Sequence, residues 1–282
     1  MPTNLACRTY DIALSHNGQS LDYAVRHEAV EPGFGTATGF VQRTDVRRTE
    51  GQAGYRWWPG GRIINWGPDV SYARNYDFNG VLQDEGTGLG ANVQLARNIR
   101  FNLSANREME RFGGIDFWKS RRNVFGQVGT SRRVSFGGGV NWGDQVRYTS
   151  TPFLGQARGG RLFINVLPFS RLRSNLNVNF SRLVDPRDGS RVFDVKIIRS
   201  QTNYQFTDRF VLRSILQYNT LTTALDANVL LTYRVNAGTV FFVGYDDHYR
   251  QGTQLDATLY PPDAFQQTRR AFFTKLSYLF RY

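Results

Sequence analysis

The chain ends on the stretch RAFFTKLSYLFRY, from Arg270 to Tyr282. Five of its large apolar side chains fall on one parity, and the polar side chains Lys275, Ser277 and Arg281 fall on the other. The alternating apolar set is Phe272, Leu276, Tyr278, Phe280 and Tyr282. This pattern predicts a β-strand with one apolar and one polar face. Because an exposed aromatic strand invites aggregation in water, we expect this face to lie against lipid.

This ending resembles the C-terminal insertion signal of bacterial outer-membrane barrels, which close on an aromatic residue. The resemblance implies recognition by the barrel-assembly machinery through the last strand, with the signal formed by Leu276, Tyr278, Phe280 and Tyr282. We therefore expect an all-β fold, an antiparallel transmembrane β-barrel of the outer-membrane type. Its expected location is the bacterial outer membrane, with membrane lipid as a partner.

Composition supports strands over helices. Aromatic residues make up 14% of the chain and glycine contributes 28 residues, whereas there are only 2 Met and 1 Cys. Mean hydropathy is −0.44, and no stretch approaches the roughly 18 consecutive apolar residues of a spanning helix. A helical membrane protein is excluded. Barrel strands remain compatible with this composition, because they alternate lipid-facing and lumen-facing residues.

The chain is strongly basic, with a formal net charge of +12. Only three of its 35 basic residues are lysines, at Lys119, Lys196 and Lys275, so arginine dominates. Such a balance is typical of some nucleic-acid-binding proteins, but the arginines are scattered and the aromatics share strand faces with aliphatic residues, which favours lipid over nucleic acid. The arginines either brace a polar lumen by pairing with the 23 carboxylates, or favour anions in a pore or contact lipid phosphate.

The clearest alternation lies between Arg171 and Ser181. Leu172, Ser174, Leu176, Val178 and Phe180 fall on one face, and Arg171, Arg173, Asn175, Asn177, Asn179 and Ser181 fall on the other. A face of Arg and Asn is not a dry core, so it predicts a polar or water-filled lumen. The residues expected to face this lumen are Arg100, Asn102, Arg171, Arg173, Asn175, Asn177, Arg213 and Arg234.

Tight turns divide the chain at regular intervals. They are predicted at Asn17-Gly18, Pro59-Gly60-Gly61, Asn98, Ser131-Arg132, Pro168-Phe169-Ser170, Thr207-Asp208 and Asn236-Ala237-Gly238. Longer connections are expected between them, among them a segment with Phe112, Phe117 and Trp118 and an irregular segment over 144–158. Since outer-membrane barrels have short periplasmic turns, this alternation predicts a periplasmic C-terminus.

The pattern gives about 15 strands in a single domain over residues 1–282. Bacterial single-chain barrels normally have an even number, so we expect about 16 strands when complete, with at least one upstream of Met1. The start, MPTNLACRTYDIALSH, has no export signal. We therefore expect the chain to be the C-terminal part of a longer protein.

Several stretches resemble a known bacterial family. They are Gly33-Phe34, GFVQRTDVRR from Gly39 to Arg48, Gln217-Tyr218-Asn219 and FFTKLSYLFR from Phe272 to Arg281. They are similar to an outer-membrane β-barrel domain of unknown function that follows a family 9 type carbohydrate-binding module. The resemblance covers nearly the whole chain and implies a barrel linked to a glycan-binding module. The sequence lacks that module, so carbohydrate binding is assigned to none of its residues.

Three functions follow from these patterns: a conduit for saccharides or other solutes, a structural anchor with a plugged lumen, and an outer-membrane hydrolase. His248, after Asp246-Asp247, is the candidate base of a hydrolase, but a polar cluster near a loop also explains it. Asp185 and Asp188 do not match the spacing of a calcium loop, and we interpret them as turn residues. No catalytic residue, metal ligand or cofactor is predicted.

Overall fold

The structure is a computed structural model that describes residues 8–35, 41, 43–129, 131–252, 254–255, 258–259 and 264–280. These residues form strands, turns and short connections, as the all-β class predicts. No helix among them has the length and apolar character needed to cross a membrane. Tyr282, the last residue of the predicted insertion signal, lies outside the described residues.

The strands are mostly longer than the about 9–11 residues that cross a bilayer; β9 and β11 each have 17 residues. In chain order they are β1 Thr9–Asn17, β2 Leu21–Val30, β3 Val46–Tyr55, β4 Ile63–Tyr76, β5 Leu82–Leu95, β6 Ile99–Phe112, β7 Ile115–Val128, β8 Val134–Arg147, β9 Phe153–Phe169, β10 Leu172–Val184, β11 Arg191–Thr207, β12 Phe210–Asn219, β13 Ala224–Asn236, β14 Thr239–Arg250, β15 Gln254–Leu255, β16 Thr258–Leu259 and β17 Gln266–Tyr278.

The strand order follows the chain. In the described residues a 15-stranded sheet runs from β1 to β14 and then to β17, while β15 and β16 form a separate two-stranded pair. Neighbours from β1 to β6 and from β10 to β17 pair antiparallel. This meander confirms the predicted antiparallel all-β class with about 15 strands.

Each of the seven predicted tight turns lies at a junction between consecutive strands, although the strands themselves include Asn17, Pro168, Phe169, Thr207 and Asn236. One predicted long connection is wrong: Gly113 and Gly114 alone join β6 to β7, and Phe117 and Trp118 lie within β7. Both glycines have positive φ, 60° and 78°, a conformation that glycine adopts without a Cβ clash. The sequence pattern did not reveal this strand, because polar residues surround these aromatics. The strand forms all the same, since backbone pairing does not require apolar side chains.

A second prediction is also wrong in extent. The irregular segment expected over 144–158 shrinks to residues 148–152, because β8 continues to Arg147 and β9 begins at Phe153. Gly143, with φ 140°, interrupts the side-chain alternation within β8. A Cβ at this position would collide with the Ser120 carbonyl oxygen. Glycine therefore permits a close backbone approach here without ending the strand.

The chain divides into two compact units. Unit 1 comprises residues 1–126, 141–157 and 185–188, and unit 2 comprises residues 127–140, 158–184 and 189–282. Few large apolar side chains are buried, whereas many are exposed, among them Ile12, Leu89, Leu162, Phe272 and Leu276. An apolar face this exposed is typical of contact with lipid. The organisation into a single domain stays a prediction.

Candidate functional site

The strands of unit 2 share a face that is rich in polar side chains. Directly paired residues of antiparallel strands project to the same side of a sheet, so the register defines rows of neighbouring side chains. Near the tight turns one row is Arg173, Asn203 and Arg213. Nearer the longer connections another row is Asn177, Arg199, Gln217, Asp226, His248 and Arg269.

A chain of side-chain hydrogen bonds crosses β10, β9 and β8 in unit 2. Asn177 donates to Asn175, and Asn175 donates to Asn165 of β9. Asn165 Nδ2 in turn donates to Ser135 Oγ of β8 at 3.1 Å. The predicted polar residues of β10 therefore share one face and are linked to partners that lie far away in sequence. Their position in a lumen stays a prediction.

Arginines on this face lack acidic partners. Arg171 lies in the turn before β10, and Arg234 is near the end of β13. Neither these two nor Arg173 and Arg213 form an ion pair with a described carboxylate. The Nε of Arg213 is also buried without a hydrogen-bond partner, an arrangement that costs about 1–3 kcal/mol unless water or a ligand accepts the bond. This end of the face is therefore suited to anions.

His248 lies at the other end of the same face. Its Nδ1 is 2.7 Å from Asp226 Oδ1 and its Nε2 is 2.8 Å from Asp246 Oδ2. Arg250 also donates to Asp226, at 3.2 Å. Both ring nitrogens can donate to carboxylates only in the imidazolium form, which has no lone pair left to accept a proton. The geometry favours an imidazolium at His248 that links β13 to β14 through two carboxylates, and it does not favour a general base.

Asp247 belongs to a different cluster, which the sequence analysis missed. The sequence suggests one polar cluster at Asp246-Asp247, but consecutive strand residues project to opposite faces. Asp247 is 3% exposed, and it accepts hydrogen bonds from Tyr245 at 2.5 Å and Tyr249 at 2.9 Å. Arg270 of β17 lies 3.4 Å away. The spacing Tyr-x-Asp-x-Tyr was the sequence signal for this cluster.

Unit 1 also has a polar face, which contains the predicted residues Arg100 and Asn102. Arg100 pairs with Gln94, and Asn102 pairs with Asn92. Asn92 Nδ2 donates to the Gly67 carbonyl oxygen at 3.2 Å. The register therefore places Arg100 and Asn102 beside the polar residues of β4 and β5, on the side of β6 that the alternation predicts.

Acidic and basic side chains are closely paired on this face. Arg26 Nη2 lies 2.6 Å from Asp11, and the same guanidinium lies 3.6 Å from Glu28 and 3.8 Å from Glu50. Arg48 is 2.9 Å from Glu50. These side chains are each about one third to one half exposed, so solvent screens the pairs. They nevertheless leave little net charge on this part of unit 1.

The most buried ion pair in unit 1 joins β6 to β7. Lys119 is 8% exposed, and its Nζ lies 2.5 Å from Glu110 and 3.5 Å from Glu108. Tyr148, in the connection after β8, donates to Glu110 at 2.6 Å. This bond raises the pKa of Tyr148 to about 12, because ionisation of the phenol would place two negative charges side by side.

A cavity of about 810 Å³ lies beside this ion pair in unit 1. Its lining includes Phe34 and Val41 from the connection between β2 and β3. The same connection is held to neighbouring elements by two bonds: Arg43 Nη1 donates to Asp84 at 3.0 Å, and Asp45 accepts from the Phe78 amide at 2.8 Å. The described residues of this connection therefore contact β5 and the segment after β4 and contribute to the wall of the cavity.

The last strand has the predicted apolar face. Phe272, Leu276, Tyr278 and Phe280 are all exposed. Tyr278 and Phe280 contact each other with ring centroids 4.6 Å apart. β17 pairs with β14 along its length. The side chains therefore present an aromatic surface, and their role as an insertion signal stays a prediction.

The acidic turn after β10 forms an ion pair. Asp185 accepts from Arg187 at 2.6 Å (Nη2) and 2.9 Å (Nε), and this bonding lowers the pKa of Asp185. Arg187 also lies over the Phe153 ring, 4.3 Å from its centroid.

Within the described residues no group of three or more His, Cys, Asp or Glu side chains is arranged to hold a metal ion.

Solved structures provide the comparison that identifies the fold. The ferric enterobactin receptor PfeA of Pseudomonas aeruginosa, as its G324V mutant, matches with a TM-score of 0.52 and 10% identity, over 95% of this chain and 53% of the receptor. The chain has the fold of an outer-membrane β-barrel. It spans about half the length of that receptor.

Weaker matches carry no further argument. They are PfeA in complex with BCV-L6, with a TM-score of 0.47, 10% identity and coverage of 98% of this chain and 58% of that one, and the Ralstonia pickettii toluene transporter TbuX, with a TM-score of 0.27, 9% identity and coverage of 84% and 75%. Neither a family model nor a curated protein matches the chain.

Proposed function

We propose that the chain is a bacterial outer-membrane barrel that conducts polar solutes and favours anions. The observation that carries this proposal is the set of arginines on the polar face of unit 2 that form no ion pair with a described carboxylate, with Arg173 and Arg213 on either side of Asn203. A plain structural support would gain no ion pairs from such arginines. A lumen that conducts anions uses them directly, through favourable potential along the path.

The membrane arrangement belongs to the same proposal. The short turns on one side of the sheet face the periplasm, together with the C-terminal strand, and lipid contacts the aromatic face. The barrel-assembly machinery inserts the chain through β17. The two-residue turn at Gly113-Gly114 shows that short connections also occur on the opposite side, so this orientation rests on the overall preference and not on every connection.

Saccharides are candidate solutes within this proposal. The hydrogen-bonded side chains of Asn165, Asn175 and Asn177 present amide groups, which bind sugar hydroxyls as well as water. The resemblance to a barrel that follows a glycan-binding module points the same way. Swelling of liposomes that contain the folded chain, in maltose and in larger neutral oligosaccharides, would measure entry of neutral sugars directly.

Conductance tests the conduit. The chain is refolded in detergent, its folding is verified by a shift in electrophoretic mobility between unheated and boiled samples, and it is inserted into planar bilayers. We expect channels with anion preference in a KCl gradient, and a marked loss of this preference in the double variant Arg171→Glu/Arg173→Glu. A folded chain that inserts without conductance would overturn the conduit.

A structural anchor with a plugged lumen is the second candidate. It is favoured by one observation, the hydrogen bonds from Arg43 to Asp84 and from the Phe78 amide to Asp45, which hold the end of the connection between β2 and β3 in place. Replacing Arg43 by Gln removes its bond to Asp84. If the connection closes the path, this variant conducts more than the wild type; an unchanged conductance removes the argument for a plug.

A further inference from the structure

Unit 2 contains a small cavity near its tight turns, separate from the large cavity of unit 1. Its volume is about 240 Å³, smaller than the roughly 300–1,000 Å³ of pockets for drug-sized ligands. Residues 131–133 and the adjoining parts of β8, β9 and β10 line it, and the lining includes Arg132, Arg133, Ser135, Asn165 and Arg173.

The charged groups of this cavity are all positive. Arg132, Arg133 and Arg173 are among the lining residues, and the lining residues include no Asp or Glu. None of the three forms an ion pair with a described acidic residue, in contrast to Arg187 and Arg270 elsewhere in the molecule. Three like charges around one small space repel each other unless an anion lies between them.

The backbone fixes the position of Arg133. Its amide donates to Ser131 Oγ at 3.0 Å, and its carbonyl oxygen accepts from the Leu167 amide at 2.6 Å. Arg173 belongs to β10 and lies opposite Asn203 of β11. Two guanidiniums are thus supplied by backbone segments that are held in place before any ligand arrives, which reduces the ordering cost of binding.

The neutral groups of the wall also favour an anion. Asn165 Nδ2 donates to Ser135 Oγ at 3.1 Å, and Asn165 Oδ1 accepts from Asn175 Nδ2. Ser135 therefore acts as the acceptor in that bond, and its own O–H remains available to donate. The cavity presents donors from both its charged and its neutral side chains.

We propose that this cavity binds a small free oxyanion of the phosphate class. Guanidinium groups match the geometry of phosphate oxygens with paired N–H bonds, and the volume excludes an oligosaccharide. Arg173 and Asn165 lie on the polar face, so the ligand is a dissolved anion and not a lipid head group. The bound anion defines the class of solute that the conduit carries, and in this respect the inference rests on the proposed function.

Calorimetric titration with inorganic phosphate tests the site. The whole chain is refolded in a neutral detergent and chloride-free buffer. We expect saturable binding, weakened at least about tenfold by Arg132→Gln/Arg133→Gln, since charge-assisted hydrogen bonds of this kind are worth tenfold or more in affinity. The matched control is Arg209→Gln, which removes an exposed arginine from the turn between β11 and β12, outside the cavity. Arg209→Gln should bind phosphate with the same affinity as the wild type.

Three results would overturn the proposal: no saturable binding by folded wild-type chain, an equal loss in Arg209→Gln, or binding only to vesicles that contain phosphatidic acid. If the double variant does not fold, Asn165→Asp places a carboxylate in the wall at the same volume, and we expect it to abolish binding. Phosphate binding without conductance would support the site and reject the conduit. Conductance without phosphate binding would reject the site and support the conduit.

Discussion

The polar faces of the two units are built from the same strand geometry but differ in their clusters of paired charges, although arginines without an ion pair to a described carboxylate, such as Arg100, also occur in unit 1. In unit 1 Arg26 lies near Asp11, Glu28 and Glu50, and Lys119 lies between Glu108 and Glu110. In unit 2 the arginines near the tight turns form no ion pair with a described carboxylate, whereas Asp226 and Asp246 lie on either side of His248. Paired charges brace a sheet, whereas unpaired ones create a potential.

This difference explains how one arginine-rich composition can serve both alternatives left open by the sequence. The bracing function is the one that unit 1 displays, and the anion-favouring function fits unit 2. Net charge alone does not distinguish them, because the distinction depends on whether each guanidinium has a carboxylate within about 4 Å. The comparison therefore predicts that variants in unit 1 change stability, and that variants near the tight turns of unit 2 change selectivity.

The largest effect on stability is expected for Glu110→Gln in unit 1. It removes the charge closest to the buried Lys119 ammonium, and breaking a buried pair in this way costs about 3 kcal/mol. The matched control is Glu108→Gln, which removes the more exposed partner at 3.5 Å and should cost less than about 1 kcal/mol. Urea unfolding in detergent, followed by tryptophan fluorescence, measures both. Equal effects would contradict the assignment of Glu110 as the main partner.

A smaller effect is expected for Asp226→Asn in unit 2. The variant weakens the bonds to His248 and Arg250 but retains Asp246 as a partner of the imidazolium. We expect a loss of about 1 kcal/mol in the free energy of unfolding, because the cluster is partly exposed and partly redundant. Comparison with Asp246→Asn in the same urea series tests the redundancy; two large, additive losses would show that neither carboxylate replaces the other.

Two single arginine variants, one in each unit, test the difference between paired and unpaired arginines most directly. Arg26→Gln leaves three neighbouring carboxylates without their shared cation, so it should lower the urea midpoint. Arg173→Gln has no acidic partner to release and should leave the midpoint unchanged while lowering anion preference in a KCl gradient. If Arg173→Gln destabilised the fold more than Arg26→Gln, the proposed division between bracing and unpaired arginines would be wrong.

The smallest effect is confined to acid pH and concerns Asp185. Its folded pKa is lowered by the bond to Arg187, so the pair contributes stability above the ordinary pKa of Asp and loses it as pH falls through the folded value. Asp185→Asn should therefore be less stable than wild type at pH 7, and the difference should shrink below about pH 4. Arg187→Gln, which removes the partner of the Asp185 carboxylate, should show the same loss at pH 7 and the same convergence with wild type at acid pH.

Local patterns predicted much of the fold. The alternation from Leu172 to Phe180 marked β10 in the correct register of faces, and the turn residues at Asn17-Gly18 and Asn236-Ala237-Gly238 marked real hairpins. Prediction failed at β7, where polar residues obscured the alternation around Phe117, and at the ends of β8 and β9. Strand pairing in those places is sustained by backbone hydrogen bonds, which leave no trace in side-chain type.

The sequence by itself determined the two faces of each strand, because side chains alternate with a period of two residues and this period is local. Only the tertiary structure decided which charged groups meet. Register brought Lys119 to Glu110, separated Asp246 from Asp247, and gathered Arg132, Arg133 and Arg173 around one cavity. A shift of one residue in pairing would exchange every such neighbour, and pairing between strands depends on contacts that no single stretch of sequence contains.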